Sequence, residues 1–230
     1  MRRILTPLLL VASLIVLISA NMQKQTNSSK LIYIGDPMCS WCYGFAPELQ
    51  QVVNELPEDV SFEVVAGGLR PNGTETMAEL KEFLTHHWEQ VHDRSGQEFN
   101  YSVLDSSDWL YDTEPSCRAV VTMRKLNPDK EFEYFKLIQK GFYVDNHHPS
   151  RAETFARQAA SLGVDEAAFI RLFNSDEMKN GTRADFNKAR RMGVNSFPSL
   201  VLEHQGKQYL LAQGYARANS VSKRIQKIIE

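Results

Sequence analysis

Cys39 and Cys42 stand three residues apart and enclose Ser40 and Trp41. At the first turn of a helix, that spacing brings two sulfurs within disulfide reach. The first cysteine then sits where unpaired backbone N–H groups and the helix dipole favour a negative charge. Such placement takes a thiol from a pKa of about 8.5 into the range of roughly 3.5–7.5, and the thiolate is the species that attacks. Cys39 is therefore the expected nucleophile and Cys42 the expected resolving thiol, with Ser40 and Trp41 tuning nucleophilicity and redox potential. Half of a zinc site is the competing reading of two cysteines so spaced. Zinc normally takes four ligands, yet the sequence has no second CxxC, and His86, His87, His92, His147 and His148 lack ligand spacing. No metal and no cofactor is expected. A purely structural disulfide would close too short a loop to stabilise much.

The run Ser196-Phe197-Pro198-Ser199 is the second candidate. A proline at the first residue of a strand is ordinary. Paired with a CxxC after an earlier strand, it suggests a cis Phe197–Pro198 bond facing the cysteines, with the Phe197 backbone free to pair with an extended substrate segment. The third cysteine, Cys117, lies at a helix start in Glu114-Pro115-Ser116-Cys117-Arg118. It reads as a small buried hydrophobe, and as a third redox partner only if the chain brings it near Cys39. Asp36 would oppose a Cys39 thiolate if ionised nearby, and reads as a stabiliser of the turn.

The elements that must position these residues alternate strand and helix. Leu31–Ile34 is a compact apolar run ended by Gly35-Asp36-Pro37, a strand and its breaker. Apolar residues then recur at helical spacing from Ser40 to Leu56, and Val60–Ala66 reads as a second strand. The cysteines thus fall at the strand-to-helix junction of a β-α-β unit. The middle predicts helices over Thr76–Ser95, Pro115–Leu126, Lys130–Phe142, Arg151–Leu162, Asp165–Phe173 and Glu177–Met192. Aromatics at helical spacing there, such as Trp88, Trp109 and Phe135, read as core. Two strands, Ser199–Glu203 and Gln208–Ala212, and a helix from Ala216 to Ile229 close the chain.

Residues 1–20 predict a secretory signal peptide: Arg2 and Arg3 precede an apolar run from Leu8 to Ile18, and Ser19-Ala20 offers a cleavage site. An uncleaved anchor is the alternative reading. Residues 21–30 read as a polar tether. Export places the protein in the periplasm or another extracytoplasmic space, where a chain of 230 residues with three cysteines is no disulfide-stapled scaffold. Formal net charge is −2 without a basic stripe, which argues against nucleic acid as a partner.

Four strings, D-P-M-C-S-W-C-Y-G-F-A-P-E-L, G-G-L-R-P, E-P-S-C-R-A-V and V-N-S-F-P-S-L, together resemble the DsbA family of protein-disulfide oxidoreductases, in the branch labelled predicted protein-disulfide isomerases. The resemblance covers Leu31 to Glu230. It implies an α/β thioredoxin fold, β-α-β … β-β-α, split by a large all-helical insertion: residues 31–70 and 193–230 form the thioredoxin domain and residues 71–192 the insertion. It implies that Cys39 forms mixed disulfides, that Cys42 releases them, and that Phe197 and Pro198 line the substrate groove. The sequence departs from the best-known members in holding Ser40-Trp41 where they hold Pro-His, and Tyr33 where many thioredoxins hold a buried acid.

Cysteine-containing exported proteins and an unidentified redox partner are the expected partners. The short tether lacks the apolar surface to join two subunits, so a monomer is expected. Competing readings are a non-catalytic periplasmic holdase or thiol metal-binder, and glutathione-linked chemistry like that of kappa-class glutathione transferases. The latter share the split fold but use a serine nucleophile and lack a CxxC.

Overall fold

The computed structural model describes residues 29–230; the expected signal peptide and most of the tether lie outside them. Four strands form one sheet in the order β2-β1-β3-β4. They are β1 (Ser29–Gly35), β2 (Val60–Ala66), β3 (Ser199–His204) and β4 (Lys207–Gln213). β1 pairs parallel to β2 and antiparallel to β3, and β3 pairs antiparallel to β4. β1 takes Ser29 and Lys30 from the expected tether, because both pair in register with Val60 and Ser61 on β2.

β1 carries apolar residues at successive positions because both of its faces are covered. Leu31 and Tyr33 face the larger core, while Ile32 and Ile34 face a smaller one with Val65, Ala189 and Val201. Helix α1 (Ser40–Asn54) follows β1 and buries Phe45, Leu49 and Val52 in the larger core. Helix α8 (Ala218–Ile229) adds Val221 and Ile225 beside it. Its free N-terminal amide at Ala218 is capped from across the sequence by the Glu48 carboxylate on α1, at 2.7 Å.

The six helices between β2 and β3 are α2 (Lys81–Ser95), α3 (Glu114–Leu126), α4 (Glu131–Tyr143), α5 (Ala152–Ala160), α6 (Glu166–Phe173) and α7 (Asp176–Arg191). The expected helix over Thr76–Ser95 starts only at Lys81. An isolated bridge takes its place at Thr76, which pairs with Leu110, while Met77 N–H donates to Trp109 O at 2.8 Å and Tyr111 N–H to Glu75 O at 2.8 Å. The Glu79 carboxylate then caps the turn through the Thr76 amide at 2.7 Å.

This helical block is welded to the sheet. Arg124 on α3 donates to Glu131 at 2.8 Å, to Asp185 on α7 at 2.7 and 3.0 Å, and to Val64 O on β2 at 2.9 Å. Asp185 also accepts the Ala66 amide at 2.9 Å, so the last amide of edge strand β2 is satisfied by the block. None of the described helices is long and apolar enough to cross a membrane.

Candidate active site

Cys39 is the N-cap of α1, in extended backbone conformation and without a side-chain cap. Gly35-Asp36-Pro37 ends β1, and the Cys39 amide closes the turn onto Asp36 O at 3.1 Å. The helix can therefore begin at Ser40, with Cys39 at its N-terminus. Cys39 is 5% exposed and Cys42 is fully buried, and neither is disulfide-bonded. Burial, and then the adjacent Cys39 sulfur, push the Cys42 thiol well above the usual thiol range, while donors from the Tyr33 hydroxyl and the Asp36 backbone pull it down. Ser40 and Trp41 are half-buried at the rim, Trp41 packing on the core.

The Phe197–Pro198 bond is cis, and the Cys39 thiol points at Phe197 O, 3.7 Å away. The turn before β3 and the start of α1 are therefore brought together, though 158 residues separate them. Phe197 is seated because Gly67 has no side chain: a Cβ there would fall 2.4 Å from the Phe197 ring.

Tyr111 was not legible in the sequence, and for Tyr33, Asp36 and Cys117 the structure adds contacts that the sequence did not show. Tyr33, at the position where thioredoxins often hold an acid, is buried against the pair and hydrogen-bonds Cys42. Its ring lies over Gly35, where a Cβ would come within 2.4 Å of the hydroxyl. Tyr111, from the helical block, donates its hydroxyl to Met38 O at 2.7 Å and so braces the residue before Cys39. Asp36 is fully buried, with Oδ1 accepting from Met38 N–H at 2.9 Å and Oδ2 from Leu69 N–H at 2.7 Å. Cys117 is fully buried too, but it is more than filler: its thiol donates to Asp36 Oδ2 at 3.4 Å. Among the described residues no cluster of three or more His, Cys, Asp or Glu side chains forms a candidate metal site.

With this geometry, the sequence model described as thioredoxin matches residues 32–216, from the second β1 apolar residue to the loop before α8. The chain belongs to the thioredoxin family. Within it the relationship is DsbA-like. A candidate protein disulfide isomerase from Nitrosomonas europaea is 34% identical, with a TM-score of 0.79 over 87% of this chain and 97% of its own. The cytosolic disulfide reductase DsbM from Pseudomonas aeruginosa shares the fold at 20% identity, with a TM-score of 0.74 over 87% and 98% of the two chains. The ClpXP adapter protein SpxH from Halalkalibacterium halodurans is 21% identical over 78% of this chain; the chain spans 60% of that relative's length. The α/β thioredoxin fold carrying a helical insertion is thus shared with known disulfide oxidoreductases.

Proposed function

We propose that this thioredoxin-family protein exchanges disulfides with cysteine-containing exported proteins, Cys39 attacking and Cys42 resolving. The observation that carries the reading is the placement of the two sulfurs: one at the rim of a helix N-terminus facing Phe197 O, the other buried and protonated behind it. In the reductive direction the Cys39 thiolate attacks one sulfur of a substrate disulfide. A Cys39–substrate disulfide forms and the other substrate sulfur leaves as thiolate. Cys42 then loses its proton and attacks Cys39 Sγ, expelling the second substrate thiolate and leaving a Cys39–Cys42 disulfide. Oxidation is the same path reversed, with Cys42 as the leaving thiolate. Either way Cys42 passes through an anion, and the Tyr33 hydroxyl and Asp36 amide are the donors that meet it.

The substrate segment would run along the Phe197 backbone beside Pro198, where an extended strand can pair. Export rests on Arg2, Arg3 and the apolar run from Leu8 to Ile18. Insulin reduction by the purified protein with dithiothreitol tests the activity: acceleration that vanishes in a Cys39→Ser/Cys42→Ser variant supports it. Equal rates with and without the cysteines would leave a binding module, not an enzyme.

A further inference from the structure

Three of the sequence strings meet away from the sulfurs, on one buried carboxylate. Asp36 comes from the turn that carries Cys39, Leu69 and Arg70 from the loop after β2, and Thr113 and Cys117 from the start of α3. The Asp36 carboxylate accepts from Met38 N–H at 2.9 Å, Leu69 N–H at 2.7 Å and the Cys117 thiol at 3.4 Å, and the Thr113 hydroxyl is its fourth donor. Thr113 is itself fixed, its oxygen accepting from Arg70 N–H at 3.0 Å. Four donors fill the roughly four acceptor positions of an ionised carboxylate. Burial raises the Asp36 carboxyl above the ordinary carboxylate range, and these donors, two of them backbone amides, pull it back toward the ionised form.

Among the described residues no cation pairs with this charge. Arg70 is turned to Glu75 and lies over the Tyr111 ring, and Arg118 pairs with Glu114. The titratable groups that face Asp36 are Tyr33 from β1, Cys39 and Cys42 from α1, Tyr111 and Cys117 from the block, and Tyr143 from α4. Burial pushes Tyr33, Cys42, Tyr111, Cys117 and Tyr143 all upward, so they are uncharged at neutral pH.

We propose that Asp36 is a positioning residue that sets the redox poise of Cys39 and Cys42, weighting the pair toward its disulfide and so toward giving electrons. This deepens the proposed function and rests on it. The reduced pair reacts through a Cys39 thiolate, which a nearby negative charge disfavours, whereas the disulfide has no such charge to oppose. A fixed negative charge in the same turn therefore disfavours only the dithiol. Cys117 and Thr113 serve the pair at second hand, by keeping the carboxylate ionised.

The test equilibrates the purified protein at pH 7 in glutathione buffers, where dithiol and one glutathione disulfide give the Cys39–Cys42 disulfide and two glutathione thiols. Acid quenching, alkylation and mass measurement then count the free thiols. Asp36→Asn keeps the side chain's shape and removes its charge. It is expected to shift the equilibrium toward the dithiol by about tenfold, or about 30 mV. An unchanged equilibrium, or a shift toward the disulfide, overturns the proposal even if the wild-type pair exchanges normally. If Asp36→Asn does not fold, Thr113→Val/Cys117→Ala removes two donors and lets the carboxyl hold its proton to higher pH. The same direction is then expected at smaller size, and no shift refutes the idea. A wild-type pair that never exchanges with glutathione sinks the thiol–disulfide reading and this inference together.

Discussion

The roles proposed for Cys39 and Cys42 rest on a difference in burial, since Cys39 is 5% exposed and Cys42 is fully buried. Because burial holds Cys42 and Cys117 protonated well above neutral pH, iodoacetamide at pH 7 should modify only Cys39 in the reduced, folded protein. Peptide mass mapping reads this directly, and early labelling of Cys42 or Cys117 would reverse the assignment. The sign is that of an acid whose neutral form is favoured by burial, so Cys42 should become reactive only as the pH climbs far above the ordinary thiol value. Tyr33→Phe removes one donor to the transient Cys42 anion. Hydrogen bonds to charged groups contribute about 1.5–3 kcal/mol, so resolution of a Cys39 mixed disulfide should slow at least tenfold. Rapid-quench measurement on a peptide adduct separates this from the first attack, whose rate should hold. At this scale the pair itself was legible from spacing alone. Tyr33 was visible only as a departure from an acid, since a tyrosine in an apolar strand carries no sign that its hydroxyl meets a sulfur 9 residues on.

The elements were legible where periodicity was strong, and misread where local hydrogen bonding competes with it. Residues 76–80 look helical in sequence, but Thr76 and Met77 are committed to Leu110 and Trp109, and residues 77–80 form only a turn ahead of α2. Pro47 shows the opposite case. It sits inside α1 and leaves the Tyr43 carbonyl without its helical donor, and the Gln97 side chain supplies one at 3.0 Å. Nothing near Pro47 in sequence announces that rescue. The Arg124 weld between α3, α4, α7 and β2 was equally hidden, because its partners lie 7 to 61 residues away. Arg124→Ala would strand the Asp185 and Glu131 carboxylates. Breaking a buried pair costs about 3–5 kcal/mol, and the lower end is expected here because 30% of the Arg124 side chain still meets solvent. Urea unfolding should show that loss with the slope unchanged; a change under 1 kcal/mol would mean that the weld is incidental.

At the scale of the whole molecule, the split fold was readable as β-α-β, helices, then β-β-α, because chain order survives without any contact information. What sequence could not supply is convergence: residues 36, 69, 113 and 117 meet only once the helical block closes over the sheet. The proposal of export makes its own demand. Antibody detection after osmotic shock should find a soluble chain shortened by about the first 20 residues, in keeping with a cleaved signal. Full-length protein retained in membranes against salt and alkali would mean an anchor instead. The central claim, that Cys39 attacks and Cys42 resolves, is met most directly by trapping in the cells that make the protein. Cys42→Ser should accumulate covalent, dithiothreitol-sensitive complexes with cysteine-containing proteins after acid quenching, and Cys39→Ser should accumulate none. Complexes on Cys39→Ser alone, or on neither variant, would contradict the account.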